Sequence, residues 1–253
     1  MAEQLRIEQL LREMVNNKAS DLHVRVGAPP VFRINGALTQ LFDVRIDAPT
    51  MDMFLDDIMN RDQKRRFEET KECDFAVGAR DMGRFRVNVF RQRGTIAMVV
   101  RHIKAKIPAF DELQLPPIIK ELALRKRGLL LVTGTTGSGK STCLAAMIDH
   151  INRTEQVNVI TVEDPIEYLH SDKKSIVSQR EIGVDTLSYA NALKAALRQD
   201  PDVLLVGEIR DLETMQIALT AADTGHMVFA TIHTTNATET IHRVLSMYPP
   251  HQH

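Results

Sequence analysis

The residues Gly134-Thr135-Thr136-Gly137-Ser138-Gly139-Lys140-Ser141 have the types and spacing needed to hold a chain of phosphates. Glycines at 134, 137 and 139 let backbone N–H groups turn inward around anionic oxygens. The helix start that follows, with Thr142 in its first turn, adds its positive end to the same anion. Lys140 then reaches the β- and γ-phosphates and Ser141 holds Mg²⁺. The flanks are those such a loop requires: an apolar run at 129–132 before it and a helix-like segment at 142–151 after it.

Three further polar clusters follow apolar runs. The run 203–206 delivers Glu208, which reads as a Walker B acid that orients Mg²⁺, directly or through water, or helps place the attacking water. A plainer alternative has Glu208 capping the next turn or pairing with Arg210. The run 159–162 ends in Glu163-Asp164-Pro165, two acids fixed by a proline, which could polarise a water for attack on the γ-phosphate. The run 227–232 is bracketed by His226 and His233. Their spacing does not make a helical metal pair, and no third ligand is evident, so zinc is discounted. A histidine beside a nucleotide senses the γ-phosphate or bonds across an interface, and Asn236 reads as a helix N-cap.

Stepping outward, alternation of strands (129–133, 157–162, 203–206, 227–232) with helices (118–126, 140–152, 186–199, 211–223, 236–247) predicts a mostly parallel sheet with helices on both faces. The chemistry-bearing clusters then gather at the carboxyl ends of its strands. The first hundred residues predict a separate α+β domain. A helix over about 3–17 precedes an alternating strand at 21–26, and Asn35-Gly36 joins two strands as a hairpin. Helices over 50–59 and 61–69 lead to two longer strands at 83–91 and 95–103. Prolines at 108, 116 and 117 and a weakened pattern place a linker at 105–117, giving domains at 1–104 and 118–253.

With 253 residues, 43% hydrophobic and 26% charged, the chain can bury two modest cores. Net charge is −1, which argues against a nucleic-acid binder. The two cysteines, Cys73 and Cys143, suit a reducing cytosol better than a disulfide framework. No segment reaches the length of a membrane span, so direct membrane insertion is not expected.

Four ordered boxes, GTTGSGKS, ITVEDPIEY (160–168), LRQDPDVLLVGEIRD (197–211) and TGHMVFATIHTTN (224–236), resemble the secretion-superfamily ATPases, the hexameric motors of type IV pili and type II secretion. The segments ASDLHVRVGAPPVFRING and GRFRVNVFRQRG are similar to the PAS-like domain of the pilus retraction ATPases, the PilT/PilU type. The resemblance implies a RecA-like P-loop ATPase domain after that PAS-like domain. It implies Glu163 as general base, Glu208 as Walker B acid, and His226 and His233 as a histidine-box pair. It also implies a hexameric ring in which Arg86 and Arg101 of one subunit reach the nucleotide of another, with Arg84 and Arg91 as helpers. Ordinary alternation of strand arginines against a buried face is the alternative.

Beyond His253, relatives continue into a helical region. Expected partners are an inner-membrane platform protein and a paralogous ATPase, placing the chain in the cytoplasm at the inner face of the membrane. ATP binding would close one subunit's second domain on the next subunit's first, hinged at 104–117. An assembly or type II secretion ATPase is the nearest alternative, although those often carry a four-cysteine zinc insertion. A nucleotide-gated ring subunit with little turnover is another, and a small-molecule kinase is a distant third.

Overall fold

Side-chain periodicity and caps decide where the elements form in the computed structural model, which describes residues 5–79, 81–103 and 107–249. The chain divides into two compact units, Met1–Ala105 and Lys106–His253.

In the first unit, helix α1 (Ile7–Asn16) buries Ile7, Leu10, Leu11 and Met14, the single stripe that spacing of three and four produces. Strands β1 (Asp21–Arg25), β2 (Val31–Ile34) and β3 (Ala37–Gln40) follow. Asn35 and Gly36 both take positive φ, 49° and 86°, which is the two-residue turn anticipated between β2 and β3. Helix α2 (Ala48–Ile58) is capped by Asp47. Helix α3 (Arg61–Thr70) opens with a reciprocal box between Asn60 and Gln63, each bond 2.9 Å.

Strands β4 (Glu72–Ala79), β5 (Gly83–Gln92) and β6 (Thr95–Ile103) complete an antiparallel sheet of order β3-β2-β1-β6-β5-β4. Two three-strand meanders join where β1 pairs with β6, and β4 is an additional edge strand. Leu10, Met14, Leu22, Phe32, Phe54 and Phe85 are fully buried together in its core.

The second unit begins with α4 (Phe110–Leu113) and α5 (Ile118–Ala123). This corrects the expected linker at 105–117. Phe110 is buried, meets the His150 ring edge-on at 5.4 Å, and packs with Ala123, Leu144 and Met147, while Leu115 lies against the same cluster. Residues 110–117 thus belong to the second unit, and 104–106 lie outside the described residues.

Next come β7 (Gly128–Thr133), α6 (Lys140–Thr154), β8 (Asn158–Glu163), β9 (Ile176–Glu181), α7 (Tyr189–Ala196), β10 (Val203–Val206), α8 (Leu212–Asp223), β11 (Met227–Ile232) and α9 (Ala237–Met247). The five strands are parallel in the order β7-β11-β10-β8-β9. Both faces are apolar: one packs on Leu144, Met147, Ile148 and Ile151 of α6, the other on α7 and α8. Strand β9 was not expected. Asn236 does cap α9, accepting from the Glu239 N–H at 2.9 Å.

The segment between β8 and β9 is fastened to α6. Asn152, wholly buried, donates to the Ser171 carbonyl (2.8 Å) and accepts from the Lys173 N–H (3.0 Å). Asp149, also buried, pairs with Lys173 and, at 2.6 Å, with Arg153. Burial pushes the Asp149 carboxyl up, but hydrogen bonds and charge from Lys173 and Arg153 outweigh it and hold it below 3.8. Its contribution to stability is therefore present above the unfolded value and lost as pH falls through the lower folded one. Asp149→Ala is expected to destabilise this unit by about 2 kcal/mol, since it strands two cations, one of them largely solvated. Urea unfolding at neutral pH should show that loss, and the difference from the parent should vanish in strong acid.

Candidate nucleotide site

Because all five strands run the same way, the residues that follow β7, β8, β10 and β11 emerge at one edge of the sheet. There they line a cleft of about 470 Å³ that includes Lys140, Ser141, Glu163, Glu208 and His233.

The loop after β7 is shaped by its glycines at two points in particular. Gly139 has φ +96° at the N-cap of α6, and a Cβ on Gly134 would lie 2.5 Å from the Ser138 hydroxyl. Thr136, Gly137, Gly139, Lys140, Ser141 and Thr142 face the cleft. Lys140 is buried and its ammonium donates to the carbonyls of Gly134 and Thr135, both at 2.9 Å. These carbonyls only partly replace an anion for a cation held at a helix N-terminus, so the loop fits a phosphate chain that would complete its coordination.

Glu163 ends β8 with its carboxylate half enclosed. Thr161 and Glu163, two residues apart, point to the same face, and Gln179 is the register partner of Thr161 on β9. Both neighbours donate to Oε1 of Glu163, Thr161 Oγ1 at 2.7 Å and Gln179 Nε2 at 3.1 Å. Burial pushes the Glu163 carboxyl above its ordinary value, outweighing those donors, and the nearby Glu167 charge pushes the same way. A carboxylate so tuned is a better proton acceptor than a solvated one.

Glu208 follows β10. Its carboxylate lies 2.7 Å from Arg210 and 3.3 Å from His233 Nε2, so the plainer alternative, pairing with Arg210, is what the structure contains. Burial pushes its carboxyl up, but Arg210 and then His233 bring the balance below the ordinary value, keeping it ionised. An ionised carboxylate and the Ser141 hydroxyl on the same cleft are oxygen donors of the kind Mg²⁺ takes.

Gly207 lets the strands approach. Its N–H donates to the Val162 carbonyl at 2.7 Å and its carbonyl accepts from Thr231 Oγ1 at 2.5 Å. A Cβ there would lie 2.9 Å from the Tyr189 hydroxyl and 3.2 Å from the Glu163 Cα. Gly207→Ala is therefore expected to displace Glu163 by tenths of an ångström, costing about 1–3 kcal/mol of stability and about tenfold in turnover. Chemical denaturation and steady-state hydrolysis on the same preparation check both.

Other sequence-predicted residues fall elsewhere. His226 lies before β11, at the opposite edge of the sheet, where its ring meets the Ala221 carbonyl at 2.9 Å and its own carbonyl receives the Gly128 N–H. It is therefore not in this chain's phosphate cleft, because a residue at each end of one strand cannot serve the same edge. Arg86 and Arg101 are register partners on β5 and β6 of the first unit and so share a face. Arg101 Nε is 2.9 Å from Asp21 and Arg86 Nε is 3.6 Å from Asp74. Arg91 lies over the Phe67 ring at 5.7 Å, a packing role.

Sequence reasoning missed Gln179, because its strand carries little apolar alternation, and Tyr189. The Tyr189 phenol is pushed above its ordinary value by burial and by the carboxylates of Asp164 and Glu208, so it remains a neutral hydroxyl on the cleft.

A family model described as Type II/IV secretion system protein matches residues 2–251. The chain is 45% identical over 249 residues to the type IV pilus ATPase PilU of Pseudomonas aeruginosa, covering 98% of this chain and 65% of that protein. It is 46% identical over 243 residues to the type IV pilus retraction ATPase PilT of the same organism, covering 96% of this chain and 71% of that one. Among solved structures, the pilus retraction motor PilT with bound ADP superposes with a TM-score of 0.94 at 50% identity, covering 98% of this chain and 73% of the other. The chain thus spans about two thirds to three quarters of the length of these relatives.

Proposed function

The chain belongs to the Type II/IV secretion system protein family, and from that premise we propose that it is an ATP-hydrolysing motor subunit that works in a hexameric ring to power type IV pilus retraction. The observation that carries this reading is the convergence of the phosphate loop, Glu163 and Glu208 on one cleft. The identity near 45% with a pilus retraction ATPase and a pilus ATPase supports the choice of task.

In this reading the backbone of 134–141 and Lys140 bind the triphosphate of ATP. Glu163 takes the proton of the attacking water. Ser141 and Glu208, directly or through water, would hold a Mg²⁺ ion, which would supply charge neutralisation at the phosphates. Glu208 is engaged by Arg210 and His233, and His233 thereby links the acid to the end of β11. His226, at the far edge, is left for contacts outside this cleft.

The ring is proposed to be completed by Arg86 and Arg101 of a neighbouring subunit, with the first unit acting as the PAS-like arm that carries them. An inner-membrane platform protein and a paralogous ATPase are the proposed partners, at the cytoplasmic face of the membrane. No helix among the described residues is long and apolar enough to cross a bilayer. Two cysteines in the chain do not supply the four-cysteine zinc insertion of many assembly and secretion ATPases.

Steady-state ATP hydrolysis across a dilution series, with light scattering on the same samples, tests the reading. Specific activity should rise with formation of a particle of about six subunits. A monomer that hydrolyses ATP equally fast would remove the ring motor.

A further inference from the structure

We propose that Gln179 is a positioning residue for hydrolysis: its amide clamps one carboxylate oxygen of Glu163 to the loop that closes over the phosphate helix. The inference rests on the reading of Glu163 as the base.

Three bonds define the clamp. Gln179 Nε2 donates to Glu163 Oε1 at 3.1 Å and to the Tyr168 carbonyl at 2.9 Å, while Gln179 Oε1 accepts from the His170 N–H at 2.8 Å. This partner set fixes the orientation of the amide, because two acceptors must face the NH₂ group and one donor must face the oxygen. Among uncharged side chains only asparagine carries the same amide, and it is one methylene shorter.

The loop partner is itself tied to the phosphate helix. The Tyr168 hydroxyl is 3.0 Å from the hydroxyl of Thr142, the residue after Ser141. A continuous path thus runs from the first turn of α6 through Tyr168 and Gln179 to Oε1 of Glu163. Thr161 holds the same oxygen at 2.7 Å and the Glu167 backbone also bonds to the carboxylate, so its plane is set by donors from both strands and from the loop. With Oε1 so held, rotation about the last side-chain bond is restricted and Oε2 keeps one direction for accepting a proton. A half-enclosed base that must meet its water within tenths of an ångström gains from such restriction.

The test is Gln179→Leu in the full chain, measured for kcat, for the KM of ATP and for direct binding of a fluorescent ATP analogue. The expected result is a kcat about 10- to 100-fold lower with KM and analogue affinity within about twofold, because a misdirected base slows the chemical step without touching the phosphate loop. Placed on Glu163→Gln and read in single turnover, Gln179→Leu should change the residual rate by less than about twofold, since the group it positions is gone. Gln179→Met, of similar length but with no donor and no added charge, should show the same loss and stands in if the leucine variant does not fold.

A kcat within about threefold of the parent, or an equal further loss on the Glu163→Gln background, would overturn the positioning role while leaving Glu163 as base. Unchanged hydrolysis in Glu163→Gln alone would instead remove the base, and the clamp's purpose with it.

Discussion

Glu163→Gln is expected to lower kcat for ATP hydrolysis by about 10²- to 10⁴-fold while nucleotide affinity stays within a few-fold of the parent. The substitution keeps the volume, and the new amide oxygen can still accept from Thr161 and Gln179, so the strand ends keep their spacing. What it removes is the one feature hydrolysis needs at that point, a group able to take a proton. The groups proposed to hold the triphosphate, by contrast, are the 134–141 backbone and Lys140, whose ammonium bonds to the Gly134 and Thr135 carbonyls and not to Glu163.

The same carboxylate is expected to set the acid side of the pH profile. Burial pushes its carboxyl above 4.5, so the base is lost as pH falls through that higher value, and the acid limb of kcat should lie above the ordinary glutamate range. Between 4.5 and the raised value the folded state binds more protons than the unfolded one, so stability from this group decreases as pH rises there. Glu163→Gln should therefore be no less stable than the parent at neutral pH while being nearly inactive. A profile of kcat from acid to neutral pH, with urea unfolding of both proteins, separates this outcome from a general loss of structure. An acid limb unchanged by the substitution would exclude Glu163 as its source.

The strand end that carries Glu163 was visible in the sequence because an apolar run closes there in Glu-Asp-Pro, whereas its proposed role as base came from the family resemblance. The phosphate loop was visible for a related reason: Gly139 at a left-handed N-cap and Gly134 against Ser138 are positions that other residues fill poorly. Two of the edge strands, β4 and β9, were less legible. In β4 the alternation of Cys73, Phe75 and Val77 is present but diluted by Gly78 and Glu72. In β9 only Val177 is apolar and partly buried on the sheet's inner side, because an edge strand covered by a loop can carry polar side chains. Gln179 was hidden with it, since its role depends on lying opposite Thr161, a non-local pairing that no local pattern encodes. The linker was misplaced for a physical reason too. Prolines at 108, 116 and 117 bracket a short helix whose Phe110 is core, and sequence punctuation does not distinguish a free segment from a packed one. His226 was paired with His233 by the family resemblance, whereas six intervening residues of strand carry them to opposite edges of the sheet.

The arginine pair gives the other large effect. Arg86 and Arg101 stand directly opposite each other on neighbouring strands, an arrangement that costs stability unless each cation has its own anion, as Asp74 and Asp21 provide. Asp21 is buried, and its carboxyl is pushed up by burial yet held below 3.8 by Ser20 and Arg101, so a charged residue is committed to holding Arg101 in place. The Arg101 side chain is nonetheless 67% exposed, which leaves its guanidinium presented to whatever approaches that face. If it meets the γ-phosphate of a neighbouring subunit, Arg101→Ala should lower ring activity by about 10³-fold, the lower end of what an arginine supplied in trans contributes, and Arg86→Ala should lower it in the same direction. Loss of activity alone does not distinguish this from a fault within one chain, but mixing does. Glu163→Gln chains retain the arginine and Arg101→Ala chains retain the base. In a randomly mixed ring with head-to-tail contacts, about one interface in four joins an intact Glu163 to an intact Arg101. Two inactive preparations should then regain roughly a quarter of the parent activity after subunit exchange, scaled to that fraction of complete interfaces. If Arg101 served the cleft of its own chain, no mixture would contain a complete site and the rate would remain at the level of the separate variants.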